Sequence, residues 1–368
     1  HTRYPLVTGV QTCALPIWST IDVVGIVRRA WSDFNEQLGI VSLEETSAHV
    51  STNRVFRLAL TDGTSAIAKV SSYGSYFLFA EDHDRLFRTR ALLANSRWDT
   101  FLAEVKSVGG RPFTWYDGQC WVAFYSDVQS GTQLPRIVSD ADIERLGQEI
   151  ADFHRACSSV AGGLPATSNS IKGDAIHLLD MLDSDDASLH FSLQADEIAI
   201  LRKSTHDFLL HLEHIHFDEW RKIPILVDWN LGNFSVRRSG DTFSLNTRWD
   251  YDWFRIDTRM LDFYFLSRVS SATGDKTAFT YSPHTLLEDR FVRFLASYHE
   301  IFPLTRSEVA FLPYAYQFFI LNYVVREGSK FFQAPLSVQF RQEALTRYLP
   351  RVSSIDVSPL LRALGLSS

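Results

Sequence analysis

The sequence contains few cysteines, the residues that build many metal and redox sites. Its 368 residues include three cysteines, Cys13, Cys120 and Cys157, and no CxxC pair. This spacing offers no cysteine-based metal framework and fits a reducing compartment, so we expect a cytoplasmic location. No apolar run approaches the roughly 20 residues that a membrane-spanning helix needs, and we therefore expect no membrane partner.

A strong excess of either charge is also missing. The formal net charge is -7, and 21% of the residues are charged while 45% are hydrophobic, which is ordinary globular composition. The mild acidity argues against a nucleic-acid partner and is too diffuse to indicate a cationic substrate. The length allows one large or two moderate domains, and the sequence shows neither an internal repeat nor a low-complexity tract.

The first 17 residues lack the features of a domain start. They have no periodicity and no initial Met, and they show no clean signal-peptide pattern, because a charged segment followed by a continuous apolar stretch is missing. They resemble the in-frame translation of a common short-read sequencing adapter, in which Tyr4, Pro5 and Leu6 cover the variable index. We therefore expect residues 1–17 to be an assembly artefact, with the natural sequence starting near Trp18. A disordered natural tail is the alternative.

Apolar periodicity then predicts one helix followed by a β-rich stretch. The predicted elements are a helix over Ile21–Leu38, a strand over Ile40–Ser47, a hairpin over Arg54–Ser72 turning at Asp62-Gly63, a helix over Phe79–Ser96 and two strands within Pro112–Val128. Composition changes at Gln129–Thr132, where we place a domain boundary. The predicted domains are residues 18–128 and 129–368.

The second domain is predicted to be mainly helical, with two strands inside it. Predicted helices cover Asp140–Ser159 with Ser139 or Asp140 as N-cap, Ala175–Leu182, Ala195–Phe217 and segments near 286–301, 306–328 and 337–348. Strands over Ile223–Val236 and Phe243–Trp249 flank a hairpin turn. His154 lies on the apolar face of the first of these helices, where we expect a partly buried histidine that bonds to the backbone.

One lysine and one acidic cluster in the first domain allow two interpretations. Lys69 interrupts the apolar strand AIAKV, either as an edge-strand residue that faces solvent or as an inward cation for nucleotide phosphates. Glu81, Asp82 and Asp84 stand near the start of the next predicted helix, where acidic side chains favour the helix dipole. One of them could instead pair with Lys69.

The strongest chemical pattern is IPILVDWNLGNFSV, over Ile223–Val236, followed by LNTRWDYDWF. It places Asp228 and Asn233 five positions apart between apolar runs, and Asp250 at the end of the next strand. Such a set can hold a hydroxyl-activating base beside a magnesium-bound phosphate. Turn chemistry at hairpin ends is the alternative explanation of these carboxylates.

Taken in order, these segments resemble the aminoglycoside phosphotransferase and choline kinase-like family, relatives of the protein kinases. The resemblance covers roughly residues 45–330. The matching segments are STNRVFRL as the nucleotide-covering turn and strand, AIAKV as the lysine strand, FYSDVQSGTQL as the hinge, LGQEIADFHRA as the "LA-x-LH" helix, VDWNLGNFSV as the "HGDxxxxN" loop and RWDYDWFRIDTRMLDF as the metal segment. Leu226 and Val227 stand where the family usually has His-Gly.

The resemblance implies an α+β, bilobal, protein-kinase-like fold, with a small antiparallel β-sheet lobe and a larger helical lobe. It implies that the cofactors are ATP and Mg²⁺. The roles implied for individual residues are general base for Asp228, metal ligands for Asn233 and Asp250 with Asp252 assisting, nucleotide binding for Lys69 and Asn53, and bracing of Lys69 by Glu81 or Asp84. Asp262 is expected to brace the catalytic loop through hydrogen bonds.

The implied function is transfer of the γ-phosphate of ATP to a hydroxyl of a small molecule such as an aminoglycoside, choline or homoserine. The missing His-Gly pair keeps open an alternative, a catalytically degenerate, kinase-like nucleotide-binding protein. We expect the acceptor site in the C-terminal helical region. Its candidate lining residues are Trp253, Phe254, Tyr316, Asn322, Tyr323 and Arg326.

Overall fold

The computed structural model describes residues 21–47, 53–72, 74–128, 131–274, 283–332, 334–352 and 354–366. The predicted artefactual segment and residues 48–52 of the predicted nucleotide-covering turn lie outside these ranges. The chain forms two compact units. One contains the described residues up to Phe79, Val105–Asp127 and residues 330–332; the other contains Ala80–Glu104, Val128–Ser329 and the described residues from 334 onward.

The first unit is built on a five-stranded antiparallel sheet with strand order β1-β2-β3-β7-β6. Its elements are helix α1 (Val23–Phe34), strands β1 (Ile40–Glu45), β2 (Arg54–Leu60) and β3 (Ser65–Ser71), the start of helix α2 (Tyr76–Leu92), and strands β4 (Ser107–Val108), β5 (Arg111–Pro112), β6 (Thr114–Tyr116) and β7 (Trp121–Ser126). The β2–β3 hairpin turns at Asp62-Gly63 as predicted, with Gly63 at a φ of 83° that suits glycine.

The core of this unit lies between α1 and one face of the sheet. The apolar side of α1, which includes Val27 and Ala30, is fully buried against sheet residues such as Leu58 and Val122. Alternation along β2 places every second side chain on this face, which explains why the strand spacing predicts the hairpin well.

The second unit is mainly helical. After the end of α2 it contains α3 (Asp140–Val160), α4 (Ile171–Leu182), α5 (Ala187–Phe191), α6 (Ala195–His214), β8 (Ile223–Ile225), β9 (Phe234–Ser239), β10 (Thr242–Arg248), β11 (Arg255–Asp257), α7 (Phe263–Ser270), α8 (Asp289–Ile301), α9 (Arg306–Phe319), a π-helix (Ile320–Arg326), α10 (Gly328–Phe331), α11 (Ala334–Glu343), a second π-helix (Ala344–Tyr348), α12 (Leu349–Val352) and α13 (Ser358–Ala363).

Helices α3 and α8 pack closely in this unit. The side chain of Ser139 caps α3 by accepting the N–H of Asp142 at 3.2 Å, which selects one of the two predicted caps. A Cβ atom added at Gly147 would lie 2.5 Å from the carbonyl oxygen of Phe294, so glycine permits the close approach of the two helices. Helix α3 thereby provides a fixed support for the residues that follow β8.

Candidate active site

Two short antiparallel ladders bring the loop that carries Asp228 beside the loop that carries Asp250. Strand β8 pairs with β11, while β9 pairs with β10 in register Phe234 to Arg248. The loop between β8 and β9 carries Asp228 and Asn233, and the loop between β10 and β11 carries Asp250. The two loops that carry the three predicted residues therefore lie at the same end of the ladders in the second unit, and each of the three residues is half-buried.

The backbone before Asp228 has an unusual conformation. Val227 adopts a φ of 59°, in the left-handed region that is costly for a β-branched side chain. This is the position at which the family usually has glycine, a residue that enters this region freely. The loop thus keeps a glycine-like backbone although valine occupies the position.

Asp262 holds the loop that carries Asp228 through hydrogen bonds, as the family resemblance implied. Its Oδ1 accepts the backbone N–H of Val227 at 2.7 Å, and its Oδ2 accepts the indole N–H of Trp229 at 2.6 Å. Both Asp262 and Trp229 are fully buried. The residues on either side of Asp228 are therefore attached to one carboxylate, which directs the side chain between them.

His154 is the third donor to Asp262, and our expectation for it was wrong. We predicted a partly buried histidine bonded to the backbone. The ring is fully buried and bonds two side chains, with Nε2 2.9 Å from Asp262 Oδ2 and Nδ1 2.8 Å from the Tyr298 hydroxyl. An ionised carboxylate only accepts, so Nε2 donates to Asp262, and Nδ1 shares a hydrogen bond with the Tyr298 hydroxyl.

Asn233 and Asp250 supply oxygen atoms suited to a hard cation. The Asn233 Nδ2 donates to the carbonyl oxygen of Asp228 at 3.4 Å, and its Oδ1 has no hydrogen-bond partner among the described residues. Asp250 has a φ of 65°, and its Oδ1 accepts the N–H of Asp252 at 3.4 Å. An amide oxygen and a carboxylate fit Mg²⁺, which keeps several waters when few protein ligands are present.

The described residues contain no cluster of three or more His, Cys, Asp or Glu side chains placed to hold a metal ion. None of the described helices is long and apolar enough to cross a membrane.

Arg248 is a residue of this site that the sequence did not reveal. It is fully buried, and its guanidinium donates to the carbonyl oxygens of Asp228 at 2.8 Å, Asn233 at 2.6 Å and Trp249. An arginine at the end of a hairpin strand usually faces solvent, so the residue type carried no signal. The register of β10 against β9 turns this side chain inward.

Lys69 and Asn53 belong to the first unit. Strand β3 lies inside the sheet, where Lys69 pairs with Val55 on one side and Ala123 on the other. Its side chain is buried, with 7% exposure, so the interpretation as a solvent-facing edge lysine is wrong. Asn53 precedes β2 and is also buried. A buried lysine is retained for a specific interaction more often than for packing.

The acidic cluster on α2 has a different role from the helix-dipole effect that we expected. Helix α2 begins at Tyr76, and its first turn contains no acidic residue. Glu81 accepts from the backbone N–H of Ser168 at 2.7 Å and from Arg85 at 3.4 Å, while Asp84 accepts from Arg85 at 2.7 Å. These contacts attach α2 to the loop after α3.

Of the six candidate acceptor residues, Trp253 is half-buried and the other five are buried. Tyr316 is buried and bonds the hydroxyls of Ser267 and Thr285, so it belongs to the core. Phe254 is also buried. The Trp253 ring lies 4.5 Å from that of Tyr323, centroid to centroid.

Asn322 and Arg326 lie with Tyr323 on the first π-helix. Such helices occur often at functional sites. Arg326 forms a buried ion pair with Asp174 at 2.9 Å. The carboxylate of Asp174 also pairs with Arg255 at 3.1 Å. The guanidinium of Arg326 is therefore held in a structural pair.

Comparison with known proteins identifies the fold. No protein-family model matches the chain, and no curated protein matches it in sequence. Solved structures do match in three dimensions. The microcompartment-associated aminopropanol kinase matches with a TM-score of 0.58 at 18% identity, covering 93% of this chain and 99% of that one.

Two further structures have similar matches. The amicoumacin kinase hAmiN, in complex with AMP-PNP, Ca²⁺ and Ami, has a TM-score of 0.62 at 12% identity, covering 94% of this chain and 98% of that one. The GDP complex of aminoglycoside 2'-phosphotransferase-IIIa has a TM-score of 0.56 at 14% identity, covering 88% and 98%. The chain therefore has the bilobal, kinase-like fold of aminoglycoside phosphotransferases and small-molecule kinases, which confirms the predicted fold class.

Proposed function

We propose that this protein is an ATP-dependent phosphotransferase that moves the γ-phosphate to a hydroxyl group of a small molecule. The observation that carries the proposal is that the β8–β11 and β9–β10 ladders place the loop with Asp228 and Asn233 beside the loop with Asp250. The fold shared with small-molecule kinases supports it, and protein kinases use an Asp base beside metal-binding Asn and Asp side chains to transfer phosphate.

Asp228 acts as the general base in this proposal. Its carboxylate accepts the proton of the acceptor hydroxyl and orients that oxygen for in-line attack on the γ-phosphorus. The bonds from Asp262 to Val227 and Trp229 limit the movement of the loop, so the carboxylate is held ready for the acceptor. Precise placement of reacting groups is where most of the acceleration of this chemistry originates.

Asn233 and Asp250 would hold Mg²⁺ through oxygen atoms, with Asp252 nearby in sequence. When bound, the cation offsets the negative charge of the phosphate oxygens. Lys69 supplies a buried cation for the nucleotide phosphates, and Asn53, also buried, contributes to nucleotide binding. Glu81 fixes α2 through Ser168 and Arg85, and its support of Lys69 remains a prediction.

The acceptor is a small hydroxylated compound. We propose that it binds near Trp253 and Tyr323, whose neighbouring rings, tilted by 33° to each other, can contact an apolar face or a cationic group of the acceptor. Asn322 offers a buried Oδ1 that has no hydrogen-bond partner among the described residues, and it could receive a hydroxyl or ammonium donor.

A second candidate function is a nucleotide-binding protein without turnover. Leu226 and Val227 favour it, because they replace the His-Gly pair of active relatives. The positive φ of Val227 argues for activity instead, since the loop keeps its conformation at an energetic cost.

One experiment separates the two functions. ATP binding is measured by calorimetry with and without Mg²⁺, and ATP consumption is then followed with a panel of amino alcohols, aminoglycosides and other hydroxylated compounds. Phosphorylation of a panel member supports the phosphotransferase. Binding without transfer to any compound, while a known kinase is active in the same assay, supports the second function. Absence of ATP binding contradicts both.

A further inference from the structure

The buried guanidinium of Arg248 donates to carbonyl oxygens in both loops that carry the proposed catalytic and metal-binding residues. Its Nη2 donates to the carbonyl oxygen of Asp228 at 2.8 Å, and its Nη1 donates to that of Asn233 at 2.6 Å. Nη1 also donates to the carbonyl oxygen of Trp249, the residue before Asp250. One planar group thus fixes the distances between three backbone carbonyl groups in the two loops.

The backbone of Arg248 is itself fixed. Its N–H donates to the carbonyl oxygen of Phe101 at 2.8 Å, and its carbonyl oxygen accepts the Tyr251 hydroxyl at 2.7 Å. That hydroxyl also accepts the N–H of Ala103 at 2.7 Å. The guanidinium therefore extends from a rigid base.

Among the described residues no carboxylate oxygen forms a hydrogen bond with the Arg248 guanidinium, whose Nη1 and Nη2 donate to carbonyl oxygens while Nε has no hydrogen-bond partner. Burying a cation without a counter-ion costs free energy. An arginine that served packing alone would therefore stabilise the fold little more than a neutral side chain of similar size. Only arginine offers several donors in a fixed planar fork, and lysine would reach the same carbonyls with a single mobile group. The residue type therefore suits simultaneous positioning of separate segments.

We propose that Arg248 is a positioning residue that holds Asp228, Asn233 and Asp250 in register for phosphate transfer. The inference rests on the proposed function. Arg248 acts through the backbone of the loops, so its loss changes the rate of transfer and the metal dependence of nucleotide binding. It leaves metal-free nucleotide affinity unchanged, because Arg248 donates to backbone carbonyls of the protein.

The test compares Arg248→Met with a matched control, Arg341→Met. Arg341 is also buried, with 2% exposure, and it donates to the carbonyl oxygens of Val325 at 3.1 Å and Phe191 at 3.0 Å. Thermal stability, AMP-PNP affinity with and without Mg²⁺, and single-turnover rate per folded molecule are measured for each variant.

In Arg248→Met we expect the single-turnover rate to fall about 100-fold, the loss typical of an ångström-scale misplacement of catalytic groups. The gain in AMP-PNP affinity on adding Mg²⁺ disappears, while metal-free affinity stays as in wild type. Arg341→Met loses stability but keeps both the rate and the Mg²⁺ effect. Wild-type rate and Mg²⁺ effect in folded Arg248→Met would overturn the inference.

Arg248→Lys keeps the test decisive if the methionine variant does not fold. It retains the charge but not the planar fork, and we expect at least a tenfold lower rate; an unchanged rate overturns the inference. If wild type binds AMP-PNP but transfers no phosphate, loss of the Mg²⁺ effect in the variant still supports positioning. The proposed function and this inference therefore fail in different ways.

Discussion

Val227 donates its backbone N–H to Asp262 at 2.7 Å while its own φ is 59°. The hydrogen bond and the strained backbone belong together, because the left-handed conformation directs this N–H to the buried carboxylate. Asp262 also holds Trp229, so it fixes both neighbours of Asp228. The fold thus keeps Val227 in the left-handed backbone conformation, although this conformation is unfavourable for valine.

This strain predicts an inverted order of stability for substitutions at Val227. At ordinary positions glycine is roughly 0.5–1 kcal/mol less stable than alanine, but a non-glycine residue in the left-handed region costs roughly 1–2 kcal/mol. We therefore expect Val227→Gly to be more stable than Val227→Ala by about 1 kcal/mol in chemical denaturation.

Val269 provides the control, because it is a buried valine within α7. There Val269→Ala should be more stable than Val269→Gly. The same order at both positions would show that the backbone at Val227 carries no strain.

Asp262→Asn tests the support of the loop. The amide keeps one acceptor oxygen and replaces the other with a donor, so either Val227 N–H or the Trp229 and His154 donors meet an N–H group. A buried donor without an acceptor costs about 1–3 kcal/mol, and we expect a loss of that size in unfolding free energy with a lower transfer rate. Wild-type stability in this variant would contradict the bonding scheme.

Lys222 predicts a pH dependence of stability. Burial lowers the pKa of its ammonium from 10.5 to about 8, against the opposing influence of Asp257 and Asp218. Between these two pH values the unfolded chain still holds the proton, whereas the folded chain has released it. The free-energy cost of burying the ammonium is therefore relieved, and the unfolding free energy rises, as the pH rises from about 8 to 10.5. The difference in unfolding free energy between wild type and Lys222→Met should shift in favour of wild type from pH 8 to 10.5. An unchanged difference would contradict it, and Lys203→Met, at an exposed position, serves as control.

Lys69→Met tests the assignment of the nucleotide site. A hydrogen bond to a charged group contributes about 1.5–3 kcal/mol, so we expect ATP affinity to fall about 10- to 100-fold in calorimetry. The methionine keeps most of the buried stem, and unfolding should remain cooperative. Unchanged affinity would remove Lys69 from the site, and Lys203→Met is again the control.

Local patterns predicted the parts of the fold that depend on neighbouring residues. The Asp62-Gly63 turn, the cap at Ser139 and the hairpin after Asn233 follow from turn and capping chemistry. Helix α7 was missed because it has only eight residues, which is shorter than the window of roughly 11–18 residues over which apolar periodicity identifies a helix. The helix predicted over 306–328 ends as a π-helix, whose geometry leaves no mark in apolar spacing.

The site shows the same division. The hydrogen bonds of Asp262 to the loop that carries Asp228 agree with what the family resemblance implied, while the roles of Asp228, Asn233 and Asp250 stay predictions. The bond between His154 and Asp262 joins residues 108 positions apart, and the inward turn of Arg248 depends on strand register. Burial of Lys69 depends on the position of β3 inside the sheet. Such features require tertiary structure.

Transfer of labelled γ-phosphate from ATP to the acceptor panel, by wild type and by Asp228→Asn, tests the central claim most directly. AMP-PNP affinity is measured in parallel to show that both proteins bind nucleotide. General base catalysis typically contributes about 10²- to 10⁴-fold, so we predict that Asp228→Asn loses at least 100-fold in rate with unchanged affinity. Transfer by Asp228→Asn at the wild-type rate would contradict the account.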